Sequence, residues 1–218
     1  MDKETSWRII DQQRKRVADL LDSLTPDDWS TPSLCEGWTV RDVAAHLSLA
    51  ATARTGETLG YVVRARGNFD RMIDAATLDR ARARSSAEIV ADLRGIVGSR
   101  KLAPGTVWRD PLLDVLVHGQ DIARPLDVSV DSPAEAAQVA AEWAWQRRFP
   151  FAPARRLRGL RLVADDVDWA RGTGAELCGP VLSLLLLSTG RAAGLRELSG
   201  PGLELARTLM ATPAARTT

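Results

Sequence analysis

The spacing of apolar residues along the first third of the chain predicts two amphipathic helices. Over residues 7–24, apolar side chains recur at intervals of three and four, which places them on one helical face. The segment 29–38 contains Pro and Gly and has no sustained period, so we expect a loop there. Thr39 followed three residues later by Asp42 matches a capping box, the signature of a helix start. The second helix should therefore begin here and run to about Arg66.

The rest of the chain changes character near residue 150. Before that point, apolar stripes predict helices over residues 85–97, 111–122 and 134–148. After it, shorter apolar runs predict two strands and then two helices over residues 160–164, 167–170, 180–188 and 202–210. These patterns predict a mainly α chain, with a helical domain over residues 1–150 and a small C-terminal α+β domain over residues 151–218.

Composition narrows the class of partner. The chain has 29 Lys and Arg against 28 Asp and Glu, and a net charge of only +1 does not favour binding to nucleic acid or to an anionic membrane. The most apolar run, residues 181–187, is far shorter than the roughly 20 residues needed to cross a bilayer. Only two cysteines occur and no signal sequence opens the chain, which predicts a cytoplasmic protein. We expect a small-molecule partner and a monomer or a homodimer.

The two histidines of the chain give its clearest chemical signal. His46 and His118 follow the aspartates Asp42 and Asp114, each by four residues. Residues four apart share one face of a helix, so a carboxylate and an imidazole can converge on one metal ion. The helix over 111–122 is apolar on nearly all sides, so its Asp and His should point inward, where a neighbouring helix can add His46. We predict a divalent metal site formed by His46, Asp114 and His118, with an open fourth position.

Other roles remain open for several residues. Asp42 is better explained by the capping box than by metal binding. Asp114 and His118 can form a buried pair without metal, because a buried carboxylate needs a cation or a strong hydrogen-bond partner. Asp121 can orient an imidazole through a hydrogen bond or form a surface ion pair. Cys35 is a metal ligand or nucleophile in one interpretation, and a buried structural thiol in the favoured one.

Two blocks and the tail of the chain carry a family pattern. The first block, residues 32–47, reads PSLCEGWTVRDVAAHL, and the second, residues 114–126, reads DVLVHGQDIARPL. The tail adds Asp168-Trp169, Gly179-Pro180, Gly190-Arg191 and Gly200-Pro201-Gly202. Together these segments span most of the chain. They resemble the mycothiol-dependent maleylpyruvate isomerase family, which lies within the DinB-like metalloenzyme superfamily.

The resemblance implies a DinB-like four-helix bundle that binds one divalent metal, usually zinc, and a small C-terminal domain. In the family, the ligands are a His on the second helix and a Glu-x-x-x-His pair on a later one, positions matched by His46, Asp114 and His118. Asp replaces Glu here, which changes the reach of this ligand. The resemblance also implies mycothiol as cosubstrate, with a thiolate that is available at neutral pH because a cation is near.

We therefore predict an enzyme that uses mycothiol, or a similar low-molecular-weight thiol, to isomerise or conjugate a small electrophile. Loss of the thiol after rotation about a former double bond makes it an isomerase, and retention of the thiol makes it a thiol S-transferase. Two alternatives stay open, namely a non-enzymatic DinB-like metal- or ligand-binding stress-response protein and a metal hydrolase that needs no thiol. Arg191 is a candidate to hold an anionic substrate group. The alternative roles for this residue are a surface ion pair and a helix C-cap partner.

Overall fold

The computed structural model of the protein describes residues 1–49, 52, 55–103 and 105–211. These residues form two compact units, one comprising Lys3–Val130 and the other beginning at Asp131. The helices of the first unit are α1 (Lys3–Asp22), α2 (Pro26–Ser30), α3 (Val40–Leu49), α4 (Thr55–Arg64), α5 (Phe69–Ala83), α6 (Ser86–Gly95) and α7 (Asp110–Ala123). A single 3₁₀ turn, Arg124–Leu126, follows α7.

Four of these helices form a bundle. Helix α1 packs against α6 and α7, and α3 packs against the same two helices, so the four surround one core. The largest side chains buried there are Ile10, Leu21, Ile89, Leu93, Leu112, Leu116 and Ile122. Burying each of these contributes about 1.5–3 kcal/mol, which is why the apolar stripes decide the helix positions. The expected four-helix bundle is confirmed.

The second predicted helix is two helices in the structure. Helix α3 ends at Leu49 and α4 begins at Thr55, whereas the sequence predicts one helix to about Arg66. The last turn of α3 is closed locally, because the hydroxyl of Thr52 donates to the Ser48 carbonyl at 2.8 Å and its N–H to the Leu49 carbonyl at 3.1 Å. Residues 50, 51, 53 and 54 lie outside the described part of the chain.

Helix α5 is an element that the sequence analysis missed. It begins after Asn68, whose side chain accepts a hydrogen bond from the Arg71 N–H at 2.9 Å. Its fully buried residues are Thr77 and Ala81, neither of which is a large hydrophobe. The helix packs against α3 and α4 and so borders the bundle.

The second unit is the predicted α+β part. It contains α8 (Ala134–Gln146), α9 (Pro153–Arg156), β1 (Gly159–Ala164), β2 (Ala170–Gly172), β3 (Gly174–Gly179), α10 (Val181–Ser188), a 3₁₀ helix (Ala192–Glu197) and α11 (Leu203–Ala211). Strand β1 lies at the centre of the sheet, antiparallel to β2 and parallel to β3. Gly174 starts β3 at φ +126°, where a Cβ atom would lie 2.1 Å from the Gly159 carbonyl oxygen. Only glycine fits this approach.

Packing assigns α8 to the second unit, where it lies against α10. The compact units therefore divide near residue 130, while a domain boundary near residue 150 stays a prediction. None of the described helices is long and apolar enough to cross a membrane.

Candidate metal centre

His46 lies on α3, and a capping box fixes where this helix begins. Oδ2 of Asp42 accepts hydrogen bonds from the backbone N–H of Thr39 at 2.8 Å and from its hydroxyl at 2.7 Å. In return, the backbone N–H of Asp42 donates to the Thr39 hydroxyl at 3.3 Å. Asp42 therefore caps α3, as the sequence indicates, and His46 follows about one turn later.

Asp114 and His118 lie one turn apart on α7, and their side chains meet that of His46. Oδ1 of Asp114 is 3.4 Å from His46 Nε2 and 3.4 Å from His118 Nε2. The ligand atoms of the three residues all lie within 4.8 Å of one another. The structure thus brings together the three residues that the sequence singles out, and their use as metal ligands stays a prediction.

The two distances from the Asp114 carboxylate oxygen suit a tetrahedral metal ion. Zinc lies about 2.0–2.1 Å from nitrogen and oxygen ligands, which places two ligand atoms of a tetrahedral site roughly 3.3–3.4 Å apart. The Asp114 side chain, although shorter than glutamate, reaches both imidazoles at this distance. The side chains of His46, Asp114 and His118 are 18%, 29% and 13% exposed, so a further ligand has access. The residues present therefore fit a divalent ion with an open coordination position.

Each imidazole also has a hydrogen-bond partner at its other ring nitrogen. His118 Nδ1 is 2.8 Å from Oδ2 of Asp121, a fully buried residue of α7. His46 Nδ1 is 3.2 Å from the Thr77 hydroxyl on α5. Because an ionised carboxylate only accepts, Nδ1 of His118 is the ring nitrogen that donates to Asp121, which leaves Nε2 as the ring nitrogen that faces Asp114 and would bind a metal. Of the two roles open to Asp121 from sequence, orienting an imidazole is the one that the structure supports.

A second group of candidate ligands consists of Cys35, His118 and Asp121. Cys35 Sγ lies 3.1 Å from Asp121 Oδ2 and 3.8 Å from His118 Nδ1. A tetrahedral zinc ion would hold sulfur and oxygen ligands about 3.6 Å apart and nitrogen and oxygen ligands about 3.3 Å apart. The observed contacts to Asp121, at 3.1 Å and 2.8 Å, are hydrogen bonds instead. This group supports His118, so Cys35 is closer to the site than its favoured interpretation as a structural thiol expects.

The indole of Trp38 lies beside both imidazoles. Its ring centroid is 5.3 Å from that of His46 and 6.4 Å from that of His118. Its Nε1–H donates to Asp74 on α5 at 3.1 Å, which fixes the orientation of the ring. The two imidazoles themselves meet edge to face, 4.8 Å apart. The indole therefore restricts the rotation of both imidazoles.

Charged neighbours keep the Asp114 carboxyl ionised at neutral pH. Burial by itself raises the pKa of this carboxyl, but His46, His118 and Arg14 together outweigh burial and hold the pKa below its usual value. The guanidinium of Arg14 is anchored by donating to the carbonyls of Ile96 and Ser99 at 2.9 Å and 3.2 Å. An anionic Asp114 is the form that binds a cation.

Thr77 and Asp74, which bond to His46 and Trp38, were not anticipated, because both lie on the helix that the sequence analysis missed. Its N-cap, Asn68, and the apolar residues Phe69, Met72 and Ile73 at helical spacing are sequence signals that could have located that helix. Arg191 lies in the second unit, where its guanidinium donates to the carbonyl of Thr189, the C-cap residue of α10, at 2.7 Å. A role for Arg191 in holding substrate stays a prediction.

The fold and the site define a helical-bundle protein with a candidate metal centre. Residues 10–110 match the family model described as the mycothiol maleylpyruvate isomerase N-terminal domain. The family resemblance is thereby confirmed for this N-terminal part of the chain. The matched range includes His46 and ends before Asp114.

Solved structures share the fold. The chain is similar to the crystal structure of the mycothiol-dependent maleylpyruvate isomerase, with a TM-score of 0.59 and 14% identity over 92% of this chain and 93% of that one. A histidine-to-alanine mutant of that enzyme gives a TM-score of 0.54 and 12% identity over the same shares. At such identities the likeness concerns the fold alone. No curated protein gives a significant sequence match.

Proposed function

We propose that the chain is a metal-dependent enzyme that uses mycothiol, or a similar low-molecular-weight thiol, to isomerise or conjugate a small electrophile. The observation that carries this proposal is the convergence of His46 Nε2, His118 Nε2 and Asp114 Oδ1, with both imidazoles 3.4 Å from the carboxylate oxygen. The match of residues 10–110 to the family's N-terminal domain supports the use of a thiol. We propose zinc as the metal, because two imidazoles and a carboxylate are a ligand set typical of catalytic zinc sites.

Each of the three side chains would have its own role in binding the metal. His46 and His118 would bind as neutral imidazoles through Nε2, and Asp114 would add one negative charge, which leaves the site with a net positive charge toward solvent. When bound, the cation would lower the pKa of a thiol that reaches it and so make a thiolate available at neutral pH. Asp121 and Thr77 would hold the two imidazoles through their Nδ1 atoms.

The thiolate of the cosubstrate then determines the reaction. Its sulfur forms a bond to an electrophilic carbon of a cis double bond, and the electron pair of that double bond moves onto the neighbouring carbonyl group of the substrate. Rotation about the resulting single bond, followed by cleavage of the carbon–sulfur bond, returns the thiolate and gives the trans product. Protonation of the adduct without cleavage gives a thioether, the product of a transferase.

Metal analysis and two activity assays test the proposal. The purified protein is expected to hold about one divalent ion per chain, and His118→Ala and Asp114→Ala should lose it. Asp27→Ala is the matched control, since Asp27 is an exposed carboxylate at the start of α2. Circular dichroism of each variant without metal separates loss of the ion from loss of the fold.

The assays use mycothiol with maleylpyruvate for isomerisation and with 1-chloro-2,4-dinitrobenzene for conjugation. Turnover that needs both the metal and the thiol supports the proposal, and consumption of the thiol assigns a transferase rather than an isomerase. Turnover with metal but without thiol indicates a hydrolase. Metal binding without turnover of either compound favours a binding protein. A folded protein that takes up no stoichiometric metal refutes the proposal.

A further inference from the structure

We propose that Cys35 is a positioning residue of the metal centre, whose S–H group holds the Asp121 carboxylate in the place from which it orients His118. The inference rests on the proposed metal-binding function and extends it to a residue of the loop before α3. It assigns the thiol neither the role of a ligand nor that of a nucleophile. The loop, here called the clamp loop, comprises residues 33–38.

The first argument is that one carboxylate oxygen receives both hydrogen bonds. Oδ2 of Asp121 is 2.8 Å from His118 Nδ1 and 3.1 Å from Cys35 Sγ. Asp121 is fully buried, and a buried carboxylate is stable only where donors surround it. Each donor therefore fixes the position of the oxygen for the other. The thiol belongs to the loop before α3, outside α7, so it ties that oxygen to a second part of the fold.

The second argument is that the clamp loop is built to hold the thiol there. The Ser33 hydroxyl donates to the Trp38 carbonyl at 2.8 Å and accepts from the Cys35 N–H at 3.1 Å. The N–H of Leu34 donates to the backbone carbonyl of Asp121 at 3.3 Å. The loop thus contacts Asp121 through both its main chain and its side chain. A residue that only filled space would need neither contact.

The third argument concerns the other end of the same loop. Trp38, which closes the clamp loop, lies beside the His46 and His118 rings, and its N–H donates to the Cys35 carbonyl at 3.0 Å. The position of the thiol and that of the indole are therefore coupled through the loop backbone. Loss of the thiol contact should loosen the hold on the imidazole at its Nδ1 side while the ligand atoms remain present.

Zinc affinity and the visible spectrum of the Co²⁺-substituted protein test the inference. In Cys35→Ala, we expect zinc to bind about fivefold more weakly, the effect of losing one hydrogen bond. Cys35→Ser restores a donor and should return the affinity to within about twofold of wild type. The matched control is Cys178→Ala, which makes the same chemical change on β3. The Co²⁺ bands should shift in Cys35→Ala alone, because a reoriented imidazole changes the ligand field.

The outcomes separate this inference from the proposed function. If the wild type binds no metal, the proposed function fails and the inference falls with it. If the wild type binds zinc but Cys35→Ala matches it in affinity and Co²⁺ spectrum, the inference alone is overturned. Equal weakening in Cys35→Ala and Cys35→Ser also overturns it, because the hydroxyl supplies a donor. Should Cys35→Ala not fold, Cys35→Val, which fills the space without donating, takes its place in the same comparison.

Discussion

Replacing Asp121 by alanine tests whether the buried carboxylate orients His118. The carboxylate accepts from His118 Nδ1 at 2.8 Å, and its removal takes this acceptor from a largely buried N–H group. An unsatisfied buried donor costs about 1–3 kcal/mol, and about 1.4 kcal/mol corresponds to a tenfold change in an equilibrium constant. Metal affinity should therefore fall about 10–100-fold, the range that outer partners of histidine ligands typically contribute.

The isosteric variant Asp121→Asn separates the charge from the shape. An amide oxygen can still accept from His118, but a hydrogen bond to a charged group contributes about 1.5–3 kcal/mol and one to a neutral group about 0.5–1.5 kcal/mol. The difference of about 1 kcal/mol predicts an affinity roughly fivefold below that of wild type, and thus between wild type and Asp121→Ala.

Competition with a chromophoric zinc chelator measures these affinities on metal-free protein. Asp27→Ala and Asp27→Asn are matched controls, because this carboxylate is exposed and lies outside the candidate site. Thermal unfolding without metal shows whether each variant keeps the fold. The reasoning is refuted by a folded Asp121→Ala that binds zinc within twofold of wild type, and equally by an Asp27→Ala that loses as much affinity.

Two further predictions follow from neutral and charged contacts elsewhere. Thr77→Val removes the hydroxyl 3.2 Å from His46 Nδ1 and should weaken zinc binding about fivefold, less than Asp121→Ala, because a neutral hydrogen bond is lost; an unchanged affinity in the chelator assay contradicts this. Burial raises the pKa of Glu142, but hydrogen bonds from Arg171, Gln146 and Trp169 outweigh it and hold that pKa below 4.5. A group with a lowered folded pKa stabilises the fold above its unfolded pKa and loses that contribution as pH falls. In Glu142→Gln, the free energy of unfolding measured by urea titration should therefore fall less steeply as the pH drops below about 4.5. An unchanged pH dependence of that free energy contradicts the prediction.

The bundle could be predicted because its helices bury large apolar side chains at helical spacing. Leu112, Leu116 and Ile122 of α7 are fully buried, and the same residues leave no solvated face in the sequence pattern. An inward carboxylate and imidazole on such a helix must meet polar partners, which is why the convergence of His46, Asp114 and His118 was foreseeable. The apolar pattern of α7 therefore made it possible to predict which polar residues form the site.

The same reasoning fails where the buried residues are small or polar. Helix α5 buries Thr77 and Ala81 rather than large apolar side chains, yet it supplies the hydrogen-bond partners of His46 and Trp38. Strand β3 begins at Gly174 and ends at Gly179, and it pairs with β1 in parallel. Parallel pairing cannot be predicted from a hairpin turn between the two strands. Both elements depend on contacts between segments that are distant in sequence.

Cys35 is the clearest example of a contact that could not be predicted from the sequence, because the Asp121 carboxylate lies 86 positions further along the chain. Nothing within the clamp loop indicates a charged partner, since the nearby serine, cysteine and tryptophan bond to each other. The partner appears only when the bundle places the loop on α7. A role that exists only after long-range packing must be tested by mutation, which is why the comparison of Cys35→Ala with Cys35→Ser is decisive.

The two Asp-x-x-x-His pairs have identical spacing, and the residue three positions before each aspartate explains their different roles. Thr39 precedes Asp42, and its hydroxyl and backbone N–H both donate hydrogen bonds to the Asp42 carboxylate. Pro111 precedes Asp114 and offers neither group. Asp114 also lies beyond the first turn of α7, where the backbone amides are bonded within the helix. Its carboxylate therefore contacts the imidazoles of His46 and His118 instead of the backbone of its own helix start, and is placed to bind a cation with them.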